Sequence, residues 1–129
     1  MAAMLDDIRA KLIAASVGTT SNIFIGEMPD TPDAVICLYE YAGSPPDLTH
    51  DSQEIEHPGL QVKVRNTSYA TGRAKIESVV TALHLTANTT LTATKYLFIR
   101  ANQSPFCLGR DASRRWEWVV NFSVSKERK

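Results

Sequence analysis

Arg115-Trp116-Glu117-Trp118-Val119-Val120-Asn121-Phe122-Ser123-Val124 is the most regular stretch of the chain. Trp116, Trp118, Val120, Phe122 and Val124 alternate with Arg115, Glu117, Val119, Asn121 and Ser123, the period of a half-buried β-strand. Such a strand hides one face against another layer, so the rest of the chain must supply neighbours and a cover. Tyr96-Leu97-Phe98-Ile99-Arg100-Ala101 reads as a second strand. In Leu60-Gln61-Val62-Lys63-Val64-Arg65 the aliphatic side chains point inward while Gln61, Lys63 and Arg65 point out. Residues 34–41 are apolar on nearly both faces, as befits a central strand.

Two helices complete the pattern. Residues 3–15 place Met4, Leu5, Ile8, Leu12 and Ala15 on one stripe, with Asp6 and Asp7 suited to the positive helix end. Asn66-Thr67-Ser68 offers capping side chains for a helix over 68–84, whose apolar stripe is Tyr69, Ile76, Val79, Val80 and Leu83. His84 closes that helix, a structural position. Ile23-Phe24-Ile25 is a short apolar segment, and Met28-Pro29-Asp30-Thr31-Pro32-Asp33 is a proline-set turn. Residues 42–58 are polar, acidic and without either period, and read as one long loop. The Thr-rich stretch 88–94 reads as a turn or an edge strand, 103–111 as a connection with some extended character, and 125–129 as a frayed basic tail. The order predicts a single α+β domain spanning 1–129. Its sheet is antiparallel-rich but mixed, of about four to six strands, with both helices on one face.

A chain of 129 residues is the common size for one domain, and 43% hydrophobic with 22% charged residues is ordinary for a globular protein. The first residues reach Asp6 before any apolar run, against a signal peptide, and no apolar stretch is long enough to span a bilayer. The chain is therefore expected to stay in the cytoplasm of the cell that makes it, without a membrane partner. Cys37 and Cys107 fall in no ligand spacing and are expected as free thiols. The net charge of zero hides an asymmetry: residues 1–58 carry ten acids against Arg9 and Lys11, and residues 59–129 carry twelve bases against four acids. Either the fold intermixes the halves, or the subunit is polarised and its acidic side meets the basic side of a second copy. Head-to-tail contacts of the second kind make rings when they close.

Chemistry is sparse. There is no GxGxxG, Walker A, HExxH or GxSxG pattern. His50, Asp51, Glu54, Glu56 and His57 crowd together and could hold a metal or an acid–base pair, but they sit in the long loop rather than on rigid elements. Arg110, Arg114 and Arg115 beside Trp116 and Trp118 use the vocabulary of a single-strand platform. The period-2 register instead assigns both tryptophans to core or interface. Neither catalysis nor a cofactor is expected.

Several phrases, taken in order, resemble one family. They are Phe24-Ile25-Gly26-Glu27-Met28-Pro29-Asp30-Thr31-Pro32-Asp33, Leu38-Tyr39-Glu40-Tyr41-Ala42-Gly43-Ser44-Pro45-Pro46, Pro58-Gly59-Leu60-Gln61-Val62-Lys63-Val64-Arg65, Thr67-Ser68-Tyr69, Gln103-Ser104-Pro105-Phe106-Cys107-Leu108-Gly109-Arg110-Asp111 and Asn121-Phe122. Together, from about residue 4 to 124, they resemble bacteriophage minor capsid proteins grouped with the tail terminators, or tail-completion proteins, of long-tailed phages. The resemblance implies a subunit of a hexameric ring in the virion, assembled in the bacterial host cytoplasm. That ring caps the head-proximal end of the tail tube and joins it to the head connector, with genomic DNA only passing through its channel. It implies no catalytic residues. Combined with the charge division, it predicts that Asp47, Asp51, Glu54 and Glu56 approach Arg114, Arg115 or Lys126 of an adjacent subunit. The alternatives are another neck, head-completion or tail tube protein of the same particle, and, further off, a DNA-contacting module or a small metal-dependent hydrolase.

Overall fold

The computed structural model describes residues 3–47, 55–91 and 94–127. Along the chain run α1 (Met4–Ala14), β1 (Ile23–Ile25), β2 (Val35–Asp47), β3 (Ile55–Asn66), α2 (Tyr69–Leu83), β4 (Thr86–Leu91), β5 (Thr94–Ala101), β6 (Phe106–Arg110) and β7 (Trp116–Glu127). The strands form one curled, mixed sheet in the order β1-β2-β3-β7-β5-β4, with β6 also paired to β7. Only β1 and β2 run parallel. The α+β reading therefore holds, with more strands than the minimum expected.

The alternating stretch that opened the reading is the middle of the molecule. β7 lies between β3 and β5, with Leu60 opposite Phe122 and Val62 opposite Val120 on one side, and Ile99 opposite Val124 on the other. β6 takes the place of β5 along the first part of β7, pairing Cys107 with Trp118. Leu60, Val62, Val64, Trp118, Val120, Phe122 and Val124 form one apolar cluster with Ile8 and Leu12 of α1 and Ile76, Val79 and Leu83 of α2. Both helices thus cover the same sheet face, and the opposite face carries polar side chains such as Gln61 and Asn121 together with the buried Cys37 and Val119.

Local sequence explains the helix contacts. Ser68 Oγ accepts from the Thr71 backbone N–H at 3.3 Å and caps α2. Gly72 lets α2 come down onto Trp118: a Cβ there would stand 2.8 Å from the indole Nε1. In α1 the apolar stripe is buried as expected, but Asp7 is buried with it, at 1% exposure. Its Oδ2 accepts from the Tyr96 hydroxyl at 2.7 Å.

Two expectations need correcting. Residues 42–58 are not one long loop: β2 continues to Asp47 and β3 begins at Ile55, leaving 48–54 outside the described residues. The prolines Pro45 and Pro46 fit because β2 has no strand on its other side there among the described residues, and register shifts after Tyr41 and Ser44 absorb the irregularity. Gly43 permits the close approach, since a Cβ would run into the His57 carbonyl oxygen. Nor do Ser125 and Lys126 belong to a frayed tail. They extend β7 opposite Phe98 and Tyr96 and are buried. Of the Thr-rich stretch, residues 88–91 lie in the edge strand β4, 92–93 are outside the described residues and Thr94 opens β5, while the connection 103–111 contains β6.

Candidate interaction surface

The residues predicted to meet across copies divide between the two ends of the β3–β7 pair. At one end Ile55 faces Glu127, and at the other Asn66 faces Trp116. Asp47 and Glu56 stand at the first end, Arg114 and Arg115 beyond the second. Asp51 and Glu54 lie outside the described residues.

The first end is held by polar contacts within the chain. His57 Nε2 bonds Asp47 Oδ2 at 2.9 Å while its Nδ1 meets Ser125 Oγ at 2.8 Å. Lys126 donates to Glu56 Oε2 at 3.0 Å across the β3–β7 ladder. Lys126 and Glu56 were expected to meet across subunits; here they meet within one. Asp47 keeps a side chain 63% exposed.

At the second end Arg115 is equally committed. Its side chain is 8% exposed and reaches Asp111 Oδ2 at 2.9 Å, Asp30 Oδ1 at 3.1 Å and Asp33 Oδ1 at 3.2 Å. The Arg115 backbone N–H, followed by its guanidinium, holds the Asp111 carboxyl below the usual aspartate range. Arg65 joins it, donating to the carbonyls of Pro29 (2.6 Å), Pro32 (2.7 Å) and Asp33 (3.1 Å). Two arginines therefore pin the proline-set turn over the sheet end. Alternation had correctly pointed Arg65 away from the core; the turn that folds over it and buries it carries no periodic signal. Arg114, in contrast, is exposed, with a positive φ of 62°.

Beside this clamp lies a cluster that the sequence only partly announced. Trp118 is in the core, whereas Trp116 is half-buried at the surface. Tyr69, 52% exposed, meets Trp116 edge-on at 5.1 Å and Trp118 at 4.9 Å between centroids. Arg110 lies over Trp116 at 5.2 Å and Arg73 over Trp118 at 5.5 Å. Arg73 also donates to the Pro105 carbonyl and pairs with Glu77, tying α2 to the start of β6.

The sheet face away from the helices carries a shallow polar depression of about 520 Å³ lined by Tyr41, Gln61, Asn102, Gln103 and Asn121. Gln61 donates to Asn121 at 3.0 Å, and Asn102 donates to the Tyr41 hydroxyl at 2.9 Å. Cys37, buried in β2, has its thiol pushed up to about 11 by desolvation, and both cysteines are free. Among the described residues no group of three or more His, Cys, Asp or Glu side chains is placed to hold a metal ion. None of the described helices is long and apolar enough to cross a membrane.

Residues 11–128 match the family model of the bacteriophage tail terminator protein. The chain belongs to that family. As a tail terminator it is a structural protein of a phage tail and a component of a phage-like virion. Its fold is shared with a chain in a structure described as the virion of a native gene transfer agent (GTA) particle. That chain is 15% identical, with a TM-score of 0.70, and the match covers 97% of this chain and 95% of the other. No curated protein matches the sequence.

Proposed function

We propose that this tail terminator closes the head-proximal end of the tail tube as a hexameric ring and joins the tube to the head connector, without catalysis or a cofactor. Membership of the family over residues 11–128 is the observation that carries this reading. A head-to-tail ring needs two different, complementary flanks. The subunit offers them: Asp47, with Asp51 and Glu54 following it in sequence, belongs to one end of the long strands and Arg114 to the other. Of the other residues in the proposed interface, Arg115, Glu56 and Lys126 hold the two ends in shape. The polar sheet face, whose amides already bond one another, suits a channel wall past which genomic DNA moves without base contacts.

The test is the mass of the purified protein, alone and mixed with cognate tail tubes, with electron micrographs of both. Rings, or one extra ring at a single end of each tube, are expected. A strict monomer that ignores tubes and binds connectors instead would overturn the reading in favour of a head-completion role.

A further inference from the structure

We infer that the outer half of β2 is an arm that lies on the Tyr69–Trp116–Arg110 cluster of an adjacent copy. The inference rests on the ring reading and names the surfaces in contact.

The arm is defined by burial. Residues 35–38 of β2 are buried, Tyr39 is intermediate, and residues 40–47 are exposed without a break. A strand whose side chains alternate normally hides every second one. Here neither face is covered. On its outer edge β2 has only β1, which reaches no further than Leu38. From Glu40 onward this edge has no strand partner among the described residues.

Sequence limits how such an arm is used. Pro45 and Pro46 lack N–H donors, so this edge is a poor template for another strand. Contact through side chains remains. The arm offers the carboxylates of Glu40 and Asp47, and β2 holds no Lys, Arg or His; the Tyr41 hydroxyl is already engaged by the Phe122 carbonyl and Asn102 of its own copy.

The Tyr69 cluster is the complement. Interface hot spots favour Tyr, Trp and Arg, and this cluster brings the exposed Tyr69 and Arg110 together with the half-buried Trp116. Nearby, Asp30, Asp33 and Asp111 pair with Arg115, with the Asp30 and Asp33 side chains still 87% and 64% exposed. Arg73 shares its charge with Glu77, which leaves Arg110 and Arg114 as the outward cations. An arm bearing two carboxylates and no base matches a surface whose outward cations are Arg110 and Arg114.

Arm and cluster do not meet within one copy. The arm runs from Glu40, opposite Leu60, to Asp47, opposite Ile55, whereas Trp116 lies opposite Asn66, so roughly 20 to 37 Å of β3 at about 3.4 Å per residue lies between them. Each copy therefore presents its arm to one neighbour and its cluster to the other, a heterologous contact of the kind that closes into a ring.

The test uses the full chain in three forms: arm reversal (Glu40→Lys with Asp47→Lys), cluster reversal (Arg110→Glu with Arg114→Glu), and all four together. Thermal melts check folding, and Glu40→Lys alone serves if replacing Asp47, which bonds His57, disturbs the arm. Assembly is read by sedimentation velocity, or as the fraction of capped tubes if wild type assembles only there. Each reversal is expected to raise the concentration needed for assembly about tenfold, and the combination to restore it. Unchanged assembly in the reversals, or no rescue in the combination, would overturn the inference. So would reversals that abolish tube capping but spare the ring, because the cluster would then face another virion protein. Loss of salt-sensitive DNA binding with assembly intact would overturn it too. A wild-type protein that neither assembles nor caps would sink the ring reading itself.

Discussion

Asp7 is the least comfortable side chain in the core. One oxygen accepts from Tyr96, and Oδ1 has no hydrogen-bond partner among the described residues. Burial, followed by the Asp7 carboxylate, raises the Tyr96 phenol above its ordinary value, so its proton stays on and it remains the donor. Tyr96→Phe would leave Asp7 buried with neither oxygen satisfied. Losing a hydrogen bond to a buried charged group costs about 2–3 kcal/mol. Urea unfolding should show a loss of that size at unchanged m-value, and a loss below about 0.5 kcal/mol would mean that Asp7 finds another donor. Nothing in the sequence announced this pair. Asp7 stands in the first turn of a helix, where an exposed acid is ordinary, and its partner is 89 residues away. The Arg115 clamp was similarly hidden, because burial of a charged side chain depends on which turn folds over it.

At the level of elements, legibility followed exposure. β3 and β7 were readable because apolar and polar side chains alternate along most of their length, and β5 because it is rich in strand formers. The outer half of β2 hides neither face, carries no period, and was read as loop. β6 is five residues long with a register shift inside it, too short for periodicity to declare itself. The approach of α2 to the sheet rests on a single missing side chain. Gly72→Ala would gain about 1 kcal/mol of helix propensity. The added Cβ, however, meets a buried indole with little room to yield, and overpacking of that kind costs about 1–3 kcal/mol. Net destabilisation is therefore expected in thermal unfolding, with near-ultraviolet circular dichroism reporting a moved tryptophan. A rise in Tm would mean that Trp118 shifts freely.

Across the whole molecule the acidic and basic halves of the sequence are partly interleaved. Asp30 and Asp33 meet Arg115, and Glu56 meets Lys126, so some of the asymmetry is spent inside the subunit. Asp47 and Glu40 remain outward in one region, Arg110 and Arg114 in another. The division of charge was thus legible in the sequence, but not which charged residues the fold pairs within the subunit. Which bases stay available depended on strand register and on the fold of the turn at 29–33. Exposed charges interact weakly beyond a Debye length, about 10 Å at 0.1 M salt and about 3 Å at 1 M. Assembly of the wild-type protein should accordingly weaken as salt is raised over that range, while its Tm moves little. Salt-independent assembly would mean that apolar contacts carry the interface.

The position of β7 between β3 and β5 has a consequence for how the protein is made. While residues up to Arg110 emerge from the ribosome, β1, β2 and β3 can collect under α1, and β4 can pair with β5. These are two half-sheets with nothing between them. Only when Trp116–Glu127 has been synthesised can one strand slot into the gap and zip both halves together. Folding is then a late, single closure that depends on contacts far apart in sequence, a topology that is intrinsically slow. Subunits interrupted before that strand would lack the middle of the sheet, and with it the shape needed to join a partner.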